Sequence, residues 1–152
     1  MPAYFFDSSA LVKFYVDETG TDWVRSFTDS EANVIHVSRL AKVETISALT
    51  RRLRRNDITN AEFDEACDTF EEDFATQFRV VGVMEQIIDD AAGFARKHGL
   101  RAYDAVQLAA ALDTGRIISQ VESAQLTLVS ADIDLNAAAA AEGLKVEDPN
   151  NH

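Results

Sequence analysis

Cysteine is nearly absent from this chain: Cys67 is the only one in 152 residues. A single thiol excludes an internal disulfide and a multi-cysteine zinc site, and it fits a reducing compartment. No apolar run approaches the roughly 18 residues needed to span a bilayer. The N-terminal apolar run is broken by Asp7 and Lys13, so it does not read as a signal peptide. No glycine-rich phosphate loop and no H-E-x-x-H motif is present. No linker, low-complexity stretch or internal repeat interrupts the chain. Bases are also in the minority, 14 against 26 acids, for a formal charge of −12. That balance argues against binding nucleic acid over the whole surface, so any such contact needs a local basic patch. The only dense one is RRLRR, Arg51 to Arg55, with Arg39 and Lys42 upstream. Net acidity serves a basic protein partner equally well.

What is present is an ordinary globular composition, 47% hydrophobic and 26% charged. The length suits one domain with one core, taken as 1–148, followed by a polar tail at 149–152, and the expected location is cytoplasmic. Short apolar strands are predicted at 3–6, 33–37, 78–83 and 127–130, with LKVED as a short edge strand. Helices are predicted at 8–16, 21–30, from Ser38 to about Arg55, 60–77, 85–98, 102–114 and 132–142. Thr59 and Glu62 make a capping-box pattern. Gly99, Gly115 and Gly143 read as C-terminal stops. The stretch 115–125 is hard to place and reads as a variable loop. Strands alternating with helices imply an α/β fold: a central parallel sheet of four to five strands covered by helices on both faces. Such sheets place their chemistry beyond the C-terminal strand ends.

Four acids sit at the edges of apolar segments: Asp7, Glu44, Asp104 and Asp132. An unpaired buried carboxylate costs several kcal/mol, and no matching set of buried-looking lysines or arginines stands beside them. Helix capping explains Asp7, Asp104 or Asp132 taken singly. Asp104 nevertheless shares a helical face with Leu108, Ala111 and Leu112. Glu44 reads as mid-helix, with no charged partner at i±4. Arg51 and Arg55 fall on nearly the same side as Glu44. They read as RNA-backbone contacts or, equally, as charge complementing a helix C-terminus. Together the four acids suggest a hard divalent cation and phosphoryl chemistry.

These segments resemble the PIN-domain family and, within it, the VapC-type ribonuclease toxins of bacterial toxin–antitoxin pairs. The resemblance is carried in order by YFFDSSALVKFYVDE, LAKVETISAL, HGLRAYDAVQLAAAL and LTLVSADIDLNAAAAAEGLKVEDP, which cover nearly the whole chain. It implies a PIN-like fold and an Mg²⁺- or Mn²⁺-dependent endoribonuclease with Asp7, Glu44, Asp104 and Asp132 as the metal-binding, catalytic quartet. Ser9 matches a position that orients the first carboxylate, and Ser130 a hydroxyl before the last acid. It further implies an RNA substrate, a cognate antitoxin, and a homodimer or toxin–antitoxin hetero-oligomer. Asp134 rivals Asp132 for the fourth acid, and Leu135 stands where many members carry an aromatic residue. The alternatives are a non-catalytic protein-binding module, a nuclease acting on structured DNA, and a metal-dependent phosphatase. The phosphatase would need an acid where Ser9 stands.

Overall fold

The computed structural model describes residues 2–152. Five parallel strands form one sheet in the order β3-β2-β1-β4-β5. They are β1 (Ala3–Phe6), β2 (Val34–Ser38), β3 (Arg79–Val81), β4 (Leu126–Val129) and β5 (Lys145–Glu147). Alternation along the two central strands feeds two cores. Phe5 and Leu128 pack toward α5 (Glu85–His98), α6 (Ala102–Val121) and α7 (Ile133–Ala141). Phe6 and Val129 pack on the opposite face with α1 (Ser8–Tyr15), α2 (Thr21–Arg25), α3 (Ala41–Arg54) and α4 (Asn60–Thr76). The period of two along a strand sends neighbouring side chains to opposite faces. Each buried Phe or Leu contributes roughly 1.5–3 kcal/mol. The doubly covered sheet expected from the sequence is therefore the one formed.

Local signals act where they were read. Thr59 Oγ1 accepts from Glu62 N at 3.1 Å, and Glu62 Oε1 accepts from Thr59 N at 3.1 Å, completing the box that opens α4. Gly99 ends α5 at φ 67°, in the left-handed region that glycine enters without steric cost.

Gly115 does not stop α6, which continues to Val121; most of the predicted loop 115–125 is helix. Glycine mid-helix costs only about 1 kcal/mol relative to alanine, and continuing the helix buries Ile118 in the core. An Asp113–Arg116 pair at 2.7 Å spans the glycine. The predicted helix 21–30 is also altered: α2 ends at Arg25 and a 3-10 turn covers Ser26–Asp29.

Lys13 is a buried cation, but it does not stand beside the four acids. It is 4% exposed, and its Nζ donates to Glu18 Oε1 (3.0 Å), the Thr19 carbonyl (2.7 Å) and Asn150 Oδ1 (2.9 Å). The last bond helps seat the C-terminal turn Pro149–Asn151. Gly20, at φ 86°, lies under that turn, where a Cβ would stand 2.4 Å from the Pro149 carbonyl oxygen. His152 stacks on Trp23 at 4.0 Å between ring centres. The ammonium is thus committed away from the four acids singled out above.

Candidate active site

The strand order changes direction at β1, with β2 on one side and β4 on the other. The crevice beyond the carboxyl ends of such a pair is where open parallel sheets hold ligands. Asp7 follows β1 directly, and its backbone N–H donates to the Val129 carbonyl of β4 at 3.2 Å. Its side chain caps α1, with Oδ1 accepting from Ala10 N at 3.1 Å. Capping is only part of its environment. Ser9 Oγ donates to Oδ1 at 2.6 Å, and Ser130 Oγ donates to Oδ2 at 3.0 Å. Both serines are themselves pinned, Ser9 Oγ accepting from Ala131 N (2.9 Å) and Ser130 Oγ from Asp132 N (3.0 Å). The β1–α1 and β4–α7 turns are therefore locked together through the Asp7 carboxylate. Burial pushes this carboxyl up to about 7, against the pull of those three donors, with Glu44 adding a further upward push.

Glu44 lies in the first turn of α3 rather than mid-helix, because residues 39–40 form a turn before the helix begins. It caps nothing. Ser8 Oγ donates to Oε2 at 3.2 Å and Gln107 Nε2 donates to Oε1 at 2.8 Å. Burial holds the Glu44 carboxyl above its ordinary value, opposed by these two bonds and by Arg51. Ser8 and Gln107 escaped the sequence reading. A signal for Gln107 existed: it is the lone polar side chain in AVQLAAAL, one turn beyond Asp104.

Asp104, half-buried in the first turn of α6, is raised to about 6 by burial, then by Asp132 and Glu44, with Arg101 pulling down and Asp134 pushing up weakly. Asp132 caps α7, its Oδ1 accepting from Leu135 N at 2.9 Å. It stands three residues past β4, which closes at Val129. Asp134 is exposed and acts on Asp104 less strongly than Asp132 does. Leu135 is fully buried in the core.

Among the described residues none of the four acids forms an ion pair. Likewise, no group of three His, Cys, Asp or Glu side chains is arranged to hold a metal ion as it stands. The basic run divides its labour. Arg52 pairs with Glu18. Arg51 donates to Ser47 Oγ at 3.0 Å, and Arg55 pairs with Asp57 at 3.2 Å. Arg51 and Arg55 line one cavity together with Ser8 and Ser9. In the described residues no helix is long and apolar enough to cross a membrane.

A family model described as PIN domain matches residues 4–141. Ribonuclease VapC45 of Mycobacterium tuberculosis (strain CDC 1551 / Oshkosh) is 37% identical over 115 residues, 76% of this chain and 78% of that protein. The crystal structure of Mycobacterium tuberculosis VapC20, described as a sarcin-ricin loop cleaving toxin, matches with a TM-score of 0.63 at 18% identity, over 93% of this chain and 95% of that one. A toxin–antitoxin complex from Klebsiella pneumoniae contains a chain that matches with a TM-score of 0.57 at 14% identity, over 96% of this chain and 97% of that one. At such identities the solved structures speak for the fold alone.

Proposed function

The chain belongs to the PIN-domain family, and on that premise we propose that it is a metal-dependent endoribonuclease, the toxin of a VapBC-type pair. The observation that carries the reading is Asp7: a carboxylate 3% exposed, gripped by three donors and, among the described residues, paired with no cation. Such a group is costly in isolation and is relieved by a cation. The name of the 37% identical relative, a ribonuclease, supports the same activity.

The residues suit Mg²⁺ or Mn²⁺. Asp7, Glu44, Asp104 and Asp132 offer only oxygen, and Mg²⁺ is held by one or two carboxylates while keeping several waters. An open set of acids, short of a closed cage, is compatible with that habit. When bound, such an ion supplies Lewis acidity toward a phosphodiester and makes water a better nucleophile. The protein's own part is placement. Ser9 and Ser130 fix both oxygens of Asp7, and Ser8 with Gln107 fixes both oxygens of Glu44. Asp104 and Asp132 supply the remaining negative charge. Ser9 stands where a phosphatase of the D-x-D type would need its second acid, and its hydroxyl holds Asp7 in hydrogen bonding.

The test is cleavage of single-stranded RNA. Purified protein is expected to cut with Mg²⁺ or Mn²⁺, to stop in EDTA, and to resume on re-addition of metal. Cutting that persists in EDTA removes the metal from the proposal, and an inert protein with every RNA tried leaves the non-catalytic module.

The partner we propose is an antitoxin acting with it in the cytoplasm, one that sets a basic side chain among the four acids, since a guanidinium matches carboxylates in geometry and charge. The two would assemble as a hetero-oligomer. Co-expression with the small protein encoded beside it should yield a complex with suppressed RNA cleavage. Separate elution with full activity would end the toxin–antitoxin assignment and leave the nuclease intact.

A further inference from the structure

Tyr103 is the one exposed Phe, Tyr or Trp among the described residues, 59% accessible, and it immediately precedes Asp104. Scattered exposed rings are commonplace. This one walls a cavity of about 150 Å³ that Glu44 joins to the acidic site. Leu40 and Val43 line the cavity with apolar surface, and Ser47 and Arg51 line it with polar groups. The bond from Arg51 Nη1 to Ser47 Oγ holds the cation there. Ser8 and Arg51 also line a second cavity, of about 380 Å³, which continues to Arg52 and Arg55. An aromatic-walled hollow and a basic one thus share Ser8 and Arg51 as common lining.

Resting on the ribonuclease reading above, we propose that the smaller cavity is a nucleobase subsite. A base adjoining the scissile phosphate stacks on Tyr103, and Arg51 takes the phosphate linking that base to the strand. Every base offers a π-face, so stacking on a ring tolerates sequence. The apolar lining keeps water from the stacked base, and the guanidinium matches a phosphate in charge and geometry. Charge decides between occupants. Along the larger cavity a cationic segment would meet Arg51 and then Arg55, whereas a polyanion is favoured there.

Binding is read in EDTA, so that nothing is cut, with single-stranded RNA oligonucleotides carrying the fluorescent base 2-aminopurine at successive positions. At one position the parent should quench the fluorescence. Tyr103→Phe should preserve that quench and bind within about twofold of the parent. Tyr103→Ala should lose it and bind about 5- to 150-fold more weakly, the range for removing one base–aromatic stack. The salt dependence separates the two residues: Tyr103→Ala leaves the slope of log K against log salt unchanged, while Arg51→Ala reduces it by about 0.7. Equal quenching and affinity in the parent and Tyr103→Ala would overturn the subsite. So would unchanged RNA titration with an altered sedimentation coefficient, which would make the cavity a protein interface. A parent that neither binds nor cuts RNA brings down the ribonuclease reading itself, a result distinct from either.

Discussion

Asp7→Asn will reduce RNA cleavage by more than about a hundredfold, beyond the usual loss from residues one layer behind a metal, and will stabilise the metal-free protein above pH 7. The two effects have one origin. The folded protein holds this carboxyl at about 7 against an ordinary 3.8, chiefly through burial. The folded state therefore binds the proton more tightly than the unfolded chain does. Its favourable contribution is complete below about pH 4 and is lost as pH rises through about 7. Displacement over that range is worth on the order of 4 kcal/mol once the group is fully ionised. Asparagine keeps the size and carries no charge, so the variant escapes the penalty. Denaturant unfolding in EDTA should show the variant ahead by up to a few kcal/mol at pH 8 and the gap closing near pH 4. Added Mg²⁺ should stabilise the parent and leave the variant unmoved. Parallel stability curves would mean that Asp7 titrates normally, and full activity in the variant would remove it from the site.

Gln107→Leu should lower RNA cleavage by about 10- to 100-fold at little cost in stability. Gln107 is 1% exposed, and its Nε2 donates to Glu44 while its Oε1 has no partner. The opposite amide orientation would set that oxygen against a carboxylate. The stranded acceptor is thus the consequence of serving an ionised Glu44. Leucine removes the orphaned oxygen together with the useful donor, so the two stability effects oppose each other and the net change should stay within about 1–2 kcal/mol. Glu44 is left with Ser8 as its side-chain donor, and burial then drives its carboxyl higher still. The acid limb of the pH–rate profile should move to higher pH. An unchanged limb and rate would show that Glu44 takes no part in the reaction. Gln107→Glu should be worse than leucine, because it puts a second carboxylate against the first.

The sequence alone determined what short-range physics controls. Short apolar runs marked the strands, capping residues marked helix starts at Asp7 and Thr59, and Gly99 marked a helix end. These signals live within one or two turns, because cap bonds and side-chain alternation involve near neighbours. The same locality made Gly115 misleading: a glycine stop is a weak local preference, and burial of Ile118 outweighs it. Only the tertiary structure decided which turns meet. Pairing β1 with β4 brings Ser130 to Asp7 across 123 positions, and packing α3 near α6 brings Gln107 to Glu44 across 63. It also paired Arg52 with Glu18 while setting Arg51 beside Tyr103 in the smaller cavity, although the two are adjacent in the chain. Such partnerships follow from how the whole apolar surface is buried at once, a sum over distant residues that no window of sequence contains.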